Sequence, residues 1–358
     1  MNRAVAAAAL TARPSALWFG RASGRRDGPA LRIVGKGYST MIDRRSLLAT
    51  APLLAVSATA TAAPPPAGTA APGFHRIRVG EAEITALLDG GMRMPEANAP
   101  RFFRDYDEAV VRRLREHAYF VEGFLHQPVG VYLVNTGRNL VLIDAGGEHA
   151  FFPGTGRMRE AFAASGYRPE QVDTVLLTHI HPEHALGLVD GDGGRAFPHA
   201  EVVVSAQDHG FWTDPAMESR VPQGQRFIQA GRRAIGPYAD RIRTFDATRE
   251  VEVVPGITTM PAIGHTPGHV SYRISSGAEQ MLVWGDVTHQ TVIQLANPRW
   301  RLGIDVDPEA AVESRLRTLD MLATDRVLVG GVHLPWPAFG RIVRQGEGYA
   351  FVPRPWQL

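Results

Sequence analysis

Alternating and periodic apolar positions organise the chain from Phe74 onward. Phe74–Val79 and Ala82–Leu88 flank Gly80-Glu81 and predict a β-hairpin. Gly130–Asn135 and Asn139–Asp144 predict a second hairpin around Thr136-Gly137-Arg138. Residues 91–128 between them are less regular: Arg101–His117 has a helical pattern, and Phe102, Phe103, Phe120 and Phe124 add aromatic bulk. Arg157–Ser165 predicts a short helix and Val172–Thr178 a buried strand of the Val/Leu type. Further on, the pattern predicts a strand at Glu201–Ser205, a helix at Gln225–Ile235 and several strands between Glu250 and Trp284. Pro308–Leu322 predicts a helix, Arg326–Gly330 a strand, and Gly340–Arg344 with Tyr349–Val352 a closing pair. Strands and helices mix with short connections and no internal repeat, so one α/β domain over residues 74–358 is the simplest account.

The N-terminal part has a different grammar. Arg44-Arg45-Ser46-Leu47-Leu48 leads into an apolar stretch, Leu47 to Val56, and then to the small residues Ala60-Thr61-Ala62. That order of basic, apolar and small residues predicts a signal peptide over 41–62, followed by a Pro/Ala linker over 63–73. The paired arginines resemble a twin-arginine export signal, which implies a periplasmic or secreted protein. Met41 is the expected initiator, leaving 1–40 as an over-called start or a leader extension. The apolar stretch is too short to span a bilayer, and nothing later is longer, so no stable membrane insertion is expected.

Charge sharpens this division. The formal net charge is +2, but residues 1–60 hold eight Arg and Lys36 against Asp27 and Asp43. The rest is therefore mildly acidic, which predicts no nucleic-acid partner, because phosphate binding needs a basic face. The chain has no cysteine. Without disulfides, its stability rests on packing and on any bound metal.

Candidate chemistry gathers at strand ends. His179 and His181 follow the strand Val172–Thr178, and residues two apart on an extended chain face the same side, so both imidazoles can address one metal. Pro182 then turns the chain and presents Glu183 and His184 toward a second position. Three imidazoles and a carboxylate within six residues suit zinc, and also iron, cobalt or manganese. Three further elements end strands in donors: Gly264-His265-Thr266-Pro267-Gly268-His269, Val283-Trp284-Gly285-Asp286, and Val327 to His333.

These four elements in this order resemble the motifs of the metallo-β-lactamase superfamily. The resemblance implies a four-layer αβ/βα sandwich with two divalent metal ions, zinc above all, at one edge. It implies that His179, His181 and His265 hold the first ion, that Glu183, His184 and His333 hold the second, and that Asp286 bridges them. Asp144 and His269 would then support the ligands from behind, Asp144 by orienting a histidine. The stretch 71–353 further resembles the methyl parathion hydrolase group, which is similar to a broad set of lactonases and esterases. That implies a dinuclear hydrolase using a metal-bridging hydroxide on an apolar ester, lactone or organophosphate triester, with Glu183 and Asp286 as its acidic groups. A homodimer is implied as well. Glu183 departs from the family pattern, which carries Asp there, and its extra methylene shifts the carboxylate by more than metal–ligand tolerances of about ±0.2 Å.

Phe102, Phe103, Phe120, Phe124 and Trp212 are expected to border the cleft and line a pocket for a small-molecule substrate, and His289 either contacts substrate or lies at the surface. No Gly-x-Ser-x-Gly element occurs, so a serine-nucleophile mechanism has no support. Two other readings share the scaffold: a mononuclear iron dioxygenase of the persulfide type, and a metal-binding protein whose catalysis is impaired by Glu183.

Overall fold

Both expected hairpins form, and they are neighbours in one larger sheet. The computed structural model describes residues 73–120, 123–220 and 224–355, so the expected signal at 41–62 and nearly all of the linker lie outside the described residues. The first half runs β1 (Phe74–Val79), β2 (Ala82–Pro95), α1 (Ala99–Phe102), α2 (Glu108–His117), β3 (Phe124–Asn135), β4 (Leu140–Ile143), α3 (Met158–Ala164), β5 (Thr174–Leu176), α4 (Pro182–Ala185) and β6 (Glu201–Ser205). It continues through α5 (Ala206–Thr213), α6 (Met217–Arg220), α7 (Gln225–Ile235) and β7 (Ile242–Phe245). The second half holds β8 (Glu252–Val254), β9 (Ile257–Pro261), β10 (Val270–Ser276), β11 (Glu279–Val283), α8 (Thr291–Ala296), α9 (Pro308–Asp325), β12 (Leu328–Gly330), β13 (Phe339–Gln345) and β14 (Gly348–Pro353).

Each half supplies a seven-stranded sheet, with orders β1-β2-β3-β4-β5-β6-β7 and β14-β13-β12-β11-β10-β9-β8. Both sheets are mixed: β4 to β7 run parallel, as do β11 and β12, while the outer hairpins are antiparallel. Side-chain alternation along β3 shows how the layers stack. Tyr132 and Val134 join a core that also takes Tyr272, Ile274, Met281 and Val283 from the second sheet. Val131 and Leu133 face the other way, against Phe162 of α3 and Ile228 and Ile235 of α7. Leu319 and Leu322 of α9 pack on the second sheet. The result is the four-layer sandwich of two mixed sheets flanked by helices. No helix among the described residues is long and apolar enough to cross a membrane.

The structure corrects several local expectations. The region 91–128 is more regular than its pattern suggests, since β2 continues to Pro95 and pairs residue by residue with β3 from Phe124. Gly90 sits inside the strand at φ +132, where a Cβ would lie 2.0 Å from the Gly154 carbonyl oxygen. Its glycine serves a close approach of the 147–156 loop, and Gly91 N donates to that same carbonyl at 2.9 Å. Arg101–His117 is not one helix: Phe103 extends to bridge Leu302, and Asp107 then caps α2 by accepting from Val110 N at 2.9 Å. Lastly, Val172–Thr178 keeps ladder pairing only over Thr174–Leu176, because Thr178 N donates to the Asp144 carboxylate at 2.8 Å instead. Arg326 likewise ends α9 in the left-handed region, φ 55, rather than opening β12.

Candidate metal centre

Parallel pairing decides where the donors meet. β4 and β5 are parallel neighbours in one sheet, and β11 and β12 in the other, so the chain leaves all four strands at one edge of the sandwich. β4 delivers Asp144, β5 the segment Thr178 to His184, β11 Asp286 and β12 His333. The connection between β9 and β10 adds His265 and His269. Pro182 occupies the first position of α4, where its missing N–H costs nothing, and the helical turn places Glu183 and His184 beyond His181.

The donor atoms form two groups that share Asp286. His179, His181, His265 and Asp286 make one, and Glu183, His184, His333 and Asp286 the other, each with its ligand atoms within 4.8 Å of one another. In the first, His181 Nδ1 lies 2.9 Å from Nε2 of both His179 and His265, and Asp286 Oδ2 lies 3.6 Å from His179 Nε2 and 3.3 Å from His265 Nε2. In the second, Asp286 Oδ1 lies 3.1 Å from His184 Nε2 and 3.3 Å from His333 Nε2. A tetrahedron with metal–nitrogen bonds of about 2.0–2.1 Å has edges of about 3.3 Å. The observed separations bracket that value. Glu183 Oε2, His184 Nε2, His333 Nε2 and both Asp286 oxygens are buried with no hydrogen-bond partner among the described residues. Orphaned buried donors and acceptors are costly unless a ligand completes them, and this set of nitrogen and carboxylate atoms fits a divalent metal.

A ring of outer partners aims the lone pairs. Asp144 Oδ2 accepts from His184 Nδ1 at 2.9 Å, Asp305 Oδ1 from His265 Nδ1 at 2.9 Å, and the Pro128 carbonyl from His333 Nδ1 at 2.7 Å. Each such bond turns Nε2 toward the centre. Thr178 Oγ1 sits 3.0 Å from His179 Nδ1 and itself bonds both Asp144 oxygens. Asp144 adopts φ 61, a conformation that Asp tolerates better than most residues. His269 joins neither group: its Nδ1 donates to the Ala262 carbonyl, and its Nε2 accepts from Asp286 N, each at 2.9 Å. Gly285 allows this, since a Cβ there would come within 2.5 Å of that Nε2.

Protonation follows from burial and neighbouring charge. Burial drives His179 and His181 well below the ordinary imidazole range, with neighbouring histidines adding to the effect, so both are neutral and ready to ligate. Burial likewise lowers His269 to about 3 and His289 to about 4. For His265 burial is outweighed by the Asp286 and Asp305 carboxylates, which push it up to about 9. Asp286 and Asp144 outweigh burial at His184 in the same way and hold it well above its usual value. Burial opposes ionisation of Asp286, but His184, His333 and His289 hold it well below the normal carboxylate range. Glu183 goes up, because burial dominates there.

The expected pocket residues divide. Phe102 is buried with its edge on His289, ring centroids 6.0 Å apart, and Trp212 stands edge-on to His181 at 5.3 Å. Phe102 also joins a third core with Phe103, Leu125, Ile293 and Leu302, where Phe103 packs on Trp300 without reaching the donors. Phe124 lies under the Arg93 guanidinium on β3, and Phe120 is half-buried just past α2. His289 is not at the surface: it is 2% exposed, its Nε2 lies 3.0 Å from Asp286 Oδ2, and its ring stacks on His333. Sequence reasoning missed Phe227, whose ring centroid is 6.0 Å from that of His181, and the pair Phe151-Phe152 packed against it. It also missed Asp305 and Asp208, the latter accepting from Ile180 N at 3.0 Å and Gly268 N at 2.7 Å and so stapling two ligand loops together. The adjacent aromatics at 151–152 were a usable signal; a lone Asp in a loop or in the first turn of a helix was not. A cavity of about 850 Å³ lies elsewhere, at the N-terminal ends of β11 and β12, and holds none of these donors.

Comparison with known proteins agrees with this geometry. The family profile described as metallo-beta-lactamase superfamily matches residues 127–352. A probable metallo-hydrolase of Mycobacterium tuberculosis is 27% identical over 177 residues, covering 44% of this chain and 55% of that protein. The chain thus spans about half the length of the curated relatives it matches. Among solved structures, the hydrolase AbOPH of the beta lactamase superfamily is 32% identical with a TM-score of 0.74, covering 81% of this chain and all of that one. The dizinc quorum-quenching lactonase AidC, solved with a product, is 25% identical with a TM-score of 0.73, covering 80% of this chain and 99% of that one.

Proposed function

The chain belongs to the metallo-beta-lactamase superfamily, and from that premise we propose that it is a metal-dependent hydrolase that binds two divalent metal ions and cleaves a neutral, apolar ester, lactone or organophosphate triester. One observation carries the reading: a single buried carboxylate, Asp286, presents one oxygen to each of two complete donor groups. Zinc is the ion best suited to the donors, and when bound it would supply an acidified water nucleophile and polarise the scissile group.

The chain's own residues do the rest. His179, His181 and His265 would hold the first ion, Glu183, His184 and His333 the second, and Asp286 both. Glu183 carries one methylene more than the Asp of the family pattern, yet its carboxylate lies within the second group. That favours a working second position over an impaired one. Phe102, Trp212 and Phe227 stand against the histidines and present ring faces and edges rather than charges, which suits an apolar substrate and excludes water. His289 turns Nε2 to Asp286 Oδ2 at 3.0 Å, and its Nδ1, buried with no hydrogen-bond partner, is available to a substrate oxygen.

The test is a metal-quantified preparation of the full chain assayed on aryl esters, lactones, acyl-homoserine lactones and phosphotriesters. Two metals per chain with turnover of at least one class supports the proposal. One iron per chain with oxygen consumption would replace it by the dioxygenase reading. Export is proposed on Arg44-Arg45 and the apolar stretch behind them. Its check is fractionation of cells making the full chain, where a purely cytoplasmic product sinks it.

A further inference from the structure

Arg315 is a charge on the inward side of α9, only 1% exposed. A position that needed packing alone would carry Leu or Met, since burying a guanidinium is unfavourable unless its donors are met. Here they are met by the framework of the metal centre. Nε donates to the Val287 carbonyl at 2.9 Å, and Nη1 to the carbonyls of Pro298 at 3.0 Å and Trp300 at 2.8 Å. Nη2 lies 3.9 Å from Asp305 Oδ2, an oxygen with no hydrogen bond of its own.

Two of these contacts reach the first donor group from behind. Val287 directly follows Asp286, so its carbonyl belongs to the backbone that carries the shared carboxylate. Asp305 holds His265 through Oδ1. The backbone around Asp305 is pinned to the same loop, with Val306 N donating to the His265 carbonyl at 3.1 Å and Asp307 N to the Gly264 carbonyl at 2.8 Å. Asp286 and His265 sit on separate loops, yet their ligand atoms must stay about 3.3 Å apart. We propose that Arg315 is the positioning residue that sets this separation, gripping from one rigid planar group the carbonyl beside Asp286 and the carboxylate behind His265. A lysine could not replace it, because a single ammonium lacks the fork that reaches three carbonyls and a carboxylate together. The inference rests on the reading of the cluster as a metal centre.

The experiment uses the full chain stripped of metal and titrated with Co2+, whose visible absorption reports ligand geometry, alongside thermal unfolding of the metal-free protein. Wild type, Arg315→Met, Arg315→Lys, Asp305→Asn and the Arg315→Met/Asp305→Asn double variant are compared. Arg315→Met and Asp305→Asn should each weaken binding of the first cobalt by about 10- to 100-fold, the usual effect of losing a partner behind a ligand, and should shift its absorption bands. The lysine variant should fall between these and wild type. The double variant should bind no more than about threefold more weakly than the poorer single one, since both changes break one chain of contacts. Should Arg315→Met not fold, Arg315→Lys and Asp305→Asn carry the test. Wild-type cobalt affinity and spectrum in the Arg315 variants, whatever their unfolding temperature, would overturn the inference and leave Arg315 a fold residue. Additive losses in the double variant would overturn it too. A wild-type chain that binds no cobalt would instead remove the metal-centre reading, and the inference with it.

Discussion

The backbone N–H of Asp286 donates to Nε2 of His269 at 2.9 Å, so an imidazole outside both donor groups places the carboxylate that both groups share. His269 is in turn locked by the Ala262 carbonyl, which leaves Nε2 only the acceptor role. With its N–H engaged, Asp286 has its two side-chain oxygens left for the centre.

Asp286→Ala should therefore lose activity by more than about a hundredfold, because losing even an outer partner of a ligand costs 10- to 100-fold. Bound metal should fall below two per chain while the far-ultraviolet circular dichroism is kept. Turnover near wild type with a full complement of metal would remove Asp286 from the centre.

The pH dependence of the metal-free protein has a sign that can be worked out. His265, raised from 6.5 to about 9, adds stability that is complete below pH 6.5 and is lost as the pH climbs through 9, and His184 acts in the same direction. His179, His181, His269 and His289 are lowered, so they favour the unfolded chain increasingly as the pH falls below 6.5. Each fully shifted group contributes about 1.4 kcal/mol per pH unit. With four groups opposing two, the unfolding temperature should peak at about pH 6.5–7 and fall faster toward acid than toward base. Thermal scans of chelated protein between about pH 5 and 9 check this; a monotonic rise into acid contradicts the assignment.

His289→Phe keeps the ring that stacks on His333 and meets Phe102, and removes both nitrogens. Fold and metal content should be unchanged, with kcat reduced on the order of a hundredfold if the ring donates to substrate in the transition state. Unchanged kcat at full metal loading would assign His289 to packing alone.

Asp208→Ala should act on stability more than on chemistry. It would leave the buried N–H groups of Ile180 and Gly268 without their acceptor, at a cost of about 1–3 kcal/mol each. Chemical denaturation measures this directly, and saturating zinc should recover part of the loss because binding favours the folded chain. A loss below about 0.5 kcal/mol would mean that the two loops hold their positions without the staple.

The donors were legible because each ends an apolar strand beside glycine or proline, so period and punctuation pointed to the same places. His269 and Asp144 were readable as supports only through the resemblance, and their hydrogen bonds then matched that role. Asp305 carries no local signal: it lies 40 positions from His265, and only folding brings them together. Arg315 looks like any arginine on an amphipathic helix until α9 is docked. Phe102 and Phe103 are neighbours in sequence and share one small core, yet α1 ends between them, so only Phe102 also meets His289. Gly90 lacks a side chain for a physical reason. Glycine marks turns and close approaches alike, and here it marked an approach.

The two halves of the sandwich each contribute ligands to the second donor group, Glu183 and His184 from the first and Asp286 and His333 from the second. An ion held there would close a loop of about 150 residues between His184 and His333. By the chain-entropy account, a covalent tie across a loop of that length is worth about 5 kcal/mol. In a protein without a single cysteine, an ion at this position would then double as a removable cross-link between the two sheets, and chelation would act as a reducing agent does on a disulfide.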